Sequence, residues 1–316
     1  ITSLDFGTNG ASPKAYIQAS LHAEELPNML VAYHLRALLE AAESAGRLHG
    51  EVVLVPAANP IGLAQRLDRK SMGHFELGSS ENFNRNYPDL AALVFDAGKA
   101  RLKADPQHNV AAVRAAVAAY LAQWQPANTL HSLRKILVTL AHDADIVLDL
   151  HCDCEAVLHL YVENPSWPRL EPLARLLGAR AVLLAQHAGG VSFDACFSGM
   201  GWKLADKLRS DPTLATCPLP QACASTTVEL RDEARVEHAL TRGDADAISA
   251  FLQHAGIVDG EPPPLPAPAC ATTPLAGAQT VKAPVAGVLA FAARPGDTLN
   301  VGDPVVEIID PIANTA

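Results

Sequence analysis

The stretch ASLHAEELPN (19–28) places a histidine, His22, three residues before a glutamate, Glu25. Both side chains are good metal ligands. They stand between an apolar run that ends at Leu21 and a long helical pattern. A catalytic zinc takes three protein ligands and keeps a fourth position open. One strand-to-helix turn can supply two of them. The third has to come from another strand end, and His151 closes the apolar run DIVLDLH. Side chains alternate along a strand, so Asp149 shares the face of His151. It is expected to steady that histidine or to line the same site.

Hydrolysis at such a metal also needs a base that is not a ligand. Glu229 lies in TTVELRDE, flanked by Val228 and Leu230. Burying a carboxylate there is costly and raises its pKa toward the range a general base needs. A substrate anchor is expected in ENFNRNYPD (81–89), where Asn84 and Arg85 stand among apolar and aromatic neighbours. Arginine holds a carboxylate in a bidentate fork. Taken singly, each of these residues has a plainer explanation: a solvated loop, a hydrogen-bonded edge histidine, a wet glutamate, an incidental arginine. Their joint occurrence is what points to chemistry.

The elements that must position them alternate between the periods of strand and helix. KAYIQASL (14–21), GEVVLVPAANP (50–60), ADIVLDLHCD (144–153), AVLHLYVE (156–163) and STTVELR (225–231) read as strands. Residues 26–44, 108–124, 129–142, 169–177, 199–209 and 232–253 read as helices. Residues 61–88 have no clear period, and a long irregular stretch of that kind carries function in a compact domain. The pattern predicts an α/β fold with a mixed, mostly parallel sheet flanked by helices. Sites in such folds sit at the carboxyl ends of strands. GEPPPLPAPAC (260–270) is a proline-rich linker. Beyond it, residues 281–311 form short β runs broken by Gly287, Gly296 and Gly302, a small all-β module. The expected division is a catalytic domain over 1–259, then linker and β module over 260–316.

Composition narrows the function classes. Hydrophobic residues make up 49% of the 316 and charged ones 18%, a globular balance with ample material for a core. The net charge of −10 leaves no basic stripe for nucleic acid, whereas one arginine suffices for a small anionic substrate. No apolar run reaches the ~18 residues of a membrane span, and no signal peptide is visible, so a cytoplasmic location is expected. The six cysteines form no CxxC pair and read as reduced thiols. HCDC (151–154) lacks the knuckle of a structural zinc site, and Cys152 and Cys154 read as packing residues or a redox-sensitive pair. His34, His142, His159 and His187 read as structural. No GxGxxG, P-loop or GxSxG motif occurs.

His22-x-x-Glu25, Asn84-Arg85, His151 and Glu229, with NPIG (59–62), NFNRNYP (82–88), DLH (149–151) and TVEL (227–230), occur in one order. In that order they resemble the succinylglutamate desuccinylase/aspartoacylase branch of the zinc carboxypeptidase-like superfamily over roughly 14–255. The resemblance implies one zinc per chain on His22, Glu25 and His151. It implies that Glu229 activates water and later protonates the leaving amine, and that Arg85, helped by Asn84, grips the substrate carboxylate. It also implies an arginine for the oxyanion between the NP and NR motifs, for which Arg66 is preferred and Arg69 is the alternative. The implied reaction is hydrolysis of an N-acyl amino acid or related amide. A metallocarboxypeptidase on short peptides and a non-catalytic metal- or partner-binding module are the competing readings. Residues 281–311 are similar to the small β domain of that branch and to half of a lipoyl or biotinyl carrier. No lysine follows Ile309, so no prosthetic group is expected. The open edges of the module are compatible with a homo-oligomer.

Overall fold

Strands buried on both faces need apolar residues at nearly every position, and this chain supplies them around the centre of one sheet. The computed structural model describes residues 1–186 and 191–313. The first half contains β1 (Leu4–Gly7), β2 (Lys14–Ala19), α1 (Leu26–Ser44), β3 (Glu51–Val55), α2 (Pro60–Ala64) and a hairpin of β4 (Arg66–Leu67) and β5 (Lys70–Ser71). Next come α3 (Leu90–Lys99), α4 (Pro106–Gln123), α5 (Thr129–Ala141) and β6 (Ile146–Asp153). The second half adds β7 (His159–Glu163), α6 (Trp167–Leu176), β8 (Ala181–Ala185), α7 (Phe193–Arg209), β9 (Ala224–Asp232) and α8 (His238–His254). The C-terminal part holds β10 (Thr272–Pro274), β11 (Val288–Phe291) and β12 (Val306–Ile309).

Eight strands form one sheet in the order β1-β3-β2-β6-β9-β7-β8-β10. Only the β1–β3 and β7–β9 pairings are antiparallel, so the sheet is mixed and mostly parallel, as the alternating pattern predicts. Alternation sorts its side chains into two layers. Ile17, Leu148, Leu150, Val228 and Leu160 face one core with Leu35 and Leu39 of α1, Leu173 of α6 and Phe251 of α8. Tyr16, Val53, Val55 and Val147 face the other, with Val94 of α3, Val117 of α4, Leu137 of α5 and Phe193 of α7. On this second face the strands turn polar toward their carboxyl ends. Gln18 lies opposite Asp149, Asp149 opposite Thr227, and His151 opposite Glu229. The order reverses between β2 and β6, where the chain runs out to β3 on one side and returns on the other. A crevice opens at such a switch point, and His22, Glu25 and His151 stand at its two rims.

Several elements depart from the sequence expectation. The strand through Glu229 runs on to Asp232, because Glu233 N–H bonds Asp153 O at 2.9 Å. The helix expected from 232 therefore starts at His238. β1, β8 and α3 were not expected, and α7 starts at Phe193 rather than 199. β1 and β8 are short runs near the sheet margins, where periodicity has little length to show itself. The irregular stretch 61–88 holds α2 and the β4–β5 hairpin. Gln65 ties it together, with Nε2 donating to Met72 O (2.5 Å) and Phe75 O (2.8 Å). His187 lies outside the described residues. Past α8, the proline-rich segment crosses the surface, where Arg175 donates to Pro266 O at 2.7 Å. β10 then adds a parallel edge strand to β8, and β11 and β12 form a separate antiparallel pair.

Candidate active site

His22 and Glu25 occupy the turn that leaves β2. The backbone bends there through Ser20, held in the left-handed region at φ 64°. A second segment presses on the turn: Ala23 N–H donates to Gly73 O at 3.0 Å, and Gly73 N–H donates to the Glu24 carboxylate. A side chain at Gly73 would place its Cβ 2.6 Å from Glu24 N, so only glycine permits this approach.

Glu25 bridges the two histidines. Its Oε1 is 2.9 Å from His22 Nδ1 and its Oε2 is 3.0 Å from His151 Nδ1. Burial alone would raise the Glu25 pKa, but the facing histidines, His151 foremost, hold it down at about 2. The far ring nitrogens are held by the protein. Asn82 Oδ1 accepts the Asn84 N–H at 2.7 Å, which fixes it as the amide oxygen, and it lies 3.0 Å from His22 Nε2. His22 Nε2 therefore carries the proton, and Nδ1 turns its lone pair toward Glu25. Burial keeps this imidazole below its ordinary pKa despite the carboxylate. A neutral nitrogen lone pair facing a carboxylate oxygen is repulsive unless a cation lies between them. The donor set N, N, O suits a divalent zinc, and the three ligand atoms all lie within 4.8 Å of one another. The residues thus fit the metal that their types suggest.

His151 is fixed in a related way. Asp149, fully buried, accepts from Gln18 Nε2 at 2.8 Å through Oδ1. Its Oδ2 lies 3.0 Å from His151 Nε2 and sets a negative charge beside that ring nitrogen. Burial opposes the charged imidazole, but Asp149 and Glu25 raise its pKa well above the usual range.

Glu229 lies on the neighbouring strand in register with His151. Burial pushes its carboxyl up to about 7, against the pull of His151 and with help from Glu25, Asp153 and Asp149. Its Oε2 is buried and has no hydrogen-bond partner among the described residues. His22, Glu25, Asn84, Arg85, His151 and Glu229 all line one cavity of about 330 Å³. Arg85 is exposed, and its Nη1 donates to Asn84 O at 2.7 Å. Asn84 is engaged within the protein: Oδ1 accepts Phe193 N–H at 2.8 Å, and Nδ2 lies 3.3 Å from His151 Nε2.

Arg66 and Arg69 are not brought to this cavity. Both are exposed on the β4–β5 hairpin, where Arg66 Nη1 donates to Ser71 Oγ at 2.9 Å. Several lining residues escaped the sequence reading. Asn82 orients His22, and its only signal was its place two residues before Asn84. His74 stacks on His22 with ring centroids 3.7 Å apart. Asp194 enters from the first turn of α7 and Leu275 from the segment after β10, and neither has a local sequence signal.

Residues 11–255 match the family model described as the succinylglutamate desuccinylase/aspartoacylase catalytic domain. Among solved structures, the chain is similar to a Shewanella amazonensis protein assigned to the succinylglutamate desuccinylase/aspartoacylase family. The two are 29% identical, over 98% of this chain and 82% of that one, with a TM-score of 0.84. A Shewanella frigidimarina protein of the same assignment is 27% identical over 98% and 81%, also with a TM-score of 0.84. The succinylglutamate desuccinylase/aspartoacylase of Rhodobacter sphaeroides shares the fold at 16% identity, over 97% and 76%, with a TM-score of 0.61. No curated protein matches the sequence significantly.

Proposed function

The chain belongs to the succinylglutamate desuccinylase/aspartoacylase family, and from that membership we propose that it is a zinc-dependent hydrolase of the C–N amide bond in a small N-acyl amino acid or related carboxylate. One observation carries the reading: two imidazoles converge on a single carboxylate beside a glutamate whose Oε2 has no described partner.

In this reading His22, Glu25 and His151 hold one zinc per chain. Bound there, zinc supplies Lewis acidity toward water and the scissile carbonyl. Glu229 takes a proton from the attacking water and returns it to the leaving nitrogen, so that amide and water become a carboxylate and an amine. Its pKa of about 7 suits both halves of that task. Arg85 receives the substrate carboxylate. Asn84 holds the loop bearing Arg85 against α7 and His151. The oxyanion role proposed for Arg66, or for Arg69, requires the β4–β5 hairpin to fold over the cavity. A cavity of about 330 Å³ is at the small end of ligand sites, which favours an acylated amino acid over a peptide.

The catalytic unit is proposed to end near residue 259, with residues 260–316 as an appendage whose Leu275 reaches the cavity wall. A cytoplasmic location belongs to the same proposal. Among the described residues no helix is long and apolar enough to cross a membrane. The test is elemental analysis of the purified protein and of His151→Ala, alongside hydrolysis of N-acyl amino acids. About one zinc per chain, lost together with activity in the variant, supports the reading. A protein that takes up no zinc and stays inert when zinc is supplied refutes it.

A further inference from the structure

The charges around the cavity are unequal. Among the described lining residues, Glu25, Asp153, Asp194 and Glu229 are carboxylates, and Arg85 is the one lysine or arginine. Glu25 faces both histidines, Glu229 is the proposed base, and Asp153 is exposed at the rim. Asp194 is left without a task. It is only 6% exposed, and its Oδ1 accepts from Ser192 Oγ at 2.5 Å. Thr227 and the Ala195 N–H also bond its carboxylate. No described lysine, arginine or histidine pairs with it. Lys203, on the same helix, pairs with Asp89, and Arg85 Nη1 donates to Asn84 O.

An acid in the first turn of a helix favours the helix dipole, but that benefit needs no burial. An outward-facing acid gains it while staying in water. A carboxylate taken out of water without a counter-charge is costly. Neutral donors hold this one in a fixed orientation at the wall of the active-site cavity. The arrangement suits a cation that arrives with the ligand.

We propose that Asp194 is a specificity residue for a cationic group, and that the substrate is an N-acylated diamino acid whose carboxylate meets Arg85 and whose free ammonium meets Asp194. This rests on the deacylase reading and narrows it. A dicarboxylic amino acid would bring two negative charges to a wall with one arginine and an unpaired aspartate. A site built around a fixed polar partner rejects an analogue that lacks the matching group far more strongly than an apolar pocket rejects a missing methylene.

The experiment is calorimetric titration of the zinc-loaded protein with free amino acids, which are product analogues and need no turnover. The panel is L-ornithine and its shorter and longer diamino homologues, L-norvaline (the ornithine chain without its amine) and L-glutamate. One diamino acid is expected to bind about 100-fold more tightly than norvaline or glutamate, and Asp194→Asn is expected to bring it within about threefold of norvaline. No diamino acid binding more tightly than norvaline, glutamate binding best, or a folded Asp194→Asn that keeps the preference overturns the proposal. If the variant does not fold, the wild-type ranking decides alone. Hydrolysis of the N-acetyl derivatives separates the two readings. Turnover of N-acetylglutamate without diamino binding sinks the cation site and keeps the deacylase. Diamino binding without turnover of any N-acyl compound does the reverse.

Discussion

Replacing Asp149 with asparagine changes one atom, and its effect can be followed through four buried groups. Tyr16 Oη donates to Gln18 Oε1 at 2.9 Å, and Gln18 Nε2 donates to Asp149 Oδ1 at 2.8 Å. Asp149 Oδ2 stands 3.0 Å from His151 Nε2. Because Tyr16 orients Gln18, the substituted amide has to keep its oxygen toward Gln18. Its NH2 then turns to His151 Nε2, where the Asn84 Nδ2 donor already sits 3.3 Å away. Two donors there demand a lone pair on Nε2 and move the proton to Nδ1, the nitrogen that faces Glu25. A metal ion then has to displace that proton. The escape is to flip both amides, which leaves the fully buried Tyr16 hydroxyl without an acceptor and costs about 1–3 kcal/mol. That escape bounds the penalty. Zinc affinity is expected to fall roughly 10- to 100-fold, the scale found for groups that orient a ligand histidine. The assay is competition with a chelating dye at pH 7.5, with melting of the metal-free variant as the control for folding. A folded Asp149→Asn that binds zinc within twofold of wild type refutes the reasoning about the proton.

Other outcomes follow from the same geometry. Glu229→Gln is expected to keep its zinc and lose about 10²- to 10⁴-fold in kcat/KM, and an active variant counts against the base assignment. Burial raises the Glu229 pKa from its unfolded value near 4.5 to about 7. Its contribution to stability is therefore full below 4.5 and lost as pH rises through 7. Metal-free Glu229→Gln should gain on wild type across that window, reaching on the order of 3 kcal/mol by pH 8, and parallel denaturant titrations read the difference directly. Gly73→Ala should force the 72–74 segment off the metal-binding turn, at about 1–3 kcal/mol of stability with weaker zinc binding; unchanged melting and dye competition would show that the close contact is not needed. Arg85→Met should raise KM at least tenfold for a carboxylate substrate and spare zinc content, since its guanidinium donates to Asn84 O and not to a metal ligand.

What the sequence could reveal divides along physical range. His22 and Glu25 lie on one turn, and Asp149 and His151 on one strand, so their mutual placement follows from local geometry. The same alternation puts Asp149 beside His151, where its Oδ2 stands 3.0 Å from Nε2. The join between the two pairs follows from parallel strands meeting at a switch point, which the alternation of helix and strand patterns predicts in kind. Arg66 shows where the local rule fails. It lies in a segment without periodicity, and only hydrogen bonds such as those of Gln65 to Met72 and Phe75 decide which way that loop faces.

The residues the sequence hid are those whose role exists only between elements. Asn82 has a reading only once His22, from a different strand end, stands 3.0 Å from its oxygen. Asp194 carries no signal within α7, because an acid in a helix's first turn is ordinary there. It becomes unusual when β9 brings Thr227 against it and no described cation follows. The two asparagines differ in the same respect. Asn84 reads in the sequence as a substrate contact, yet Phe193 N–H donates to its oxygen and His151 lies beside its nitrogen. Its use is therefore to hold the loop that bears Arg85 against α7, beside the histidine of the metal site. Motif residues are legible because chemistry restricts their type, whereas the groups that hold them are restricted only by distance, and distance is what folding supplies.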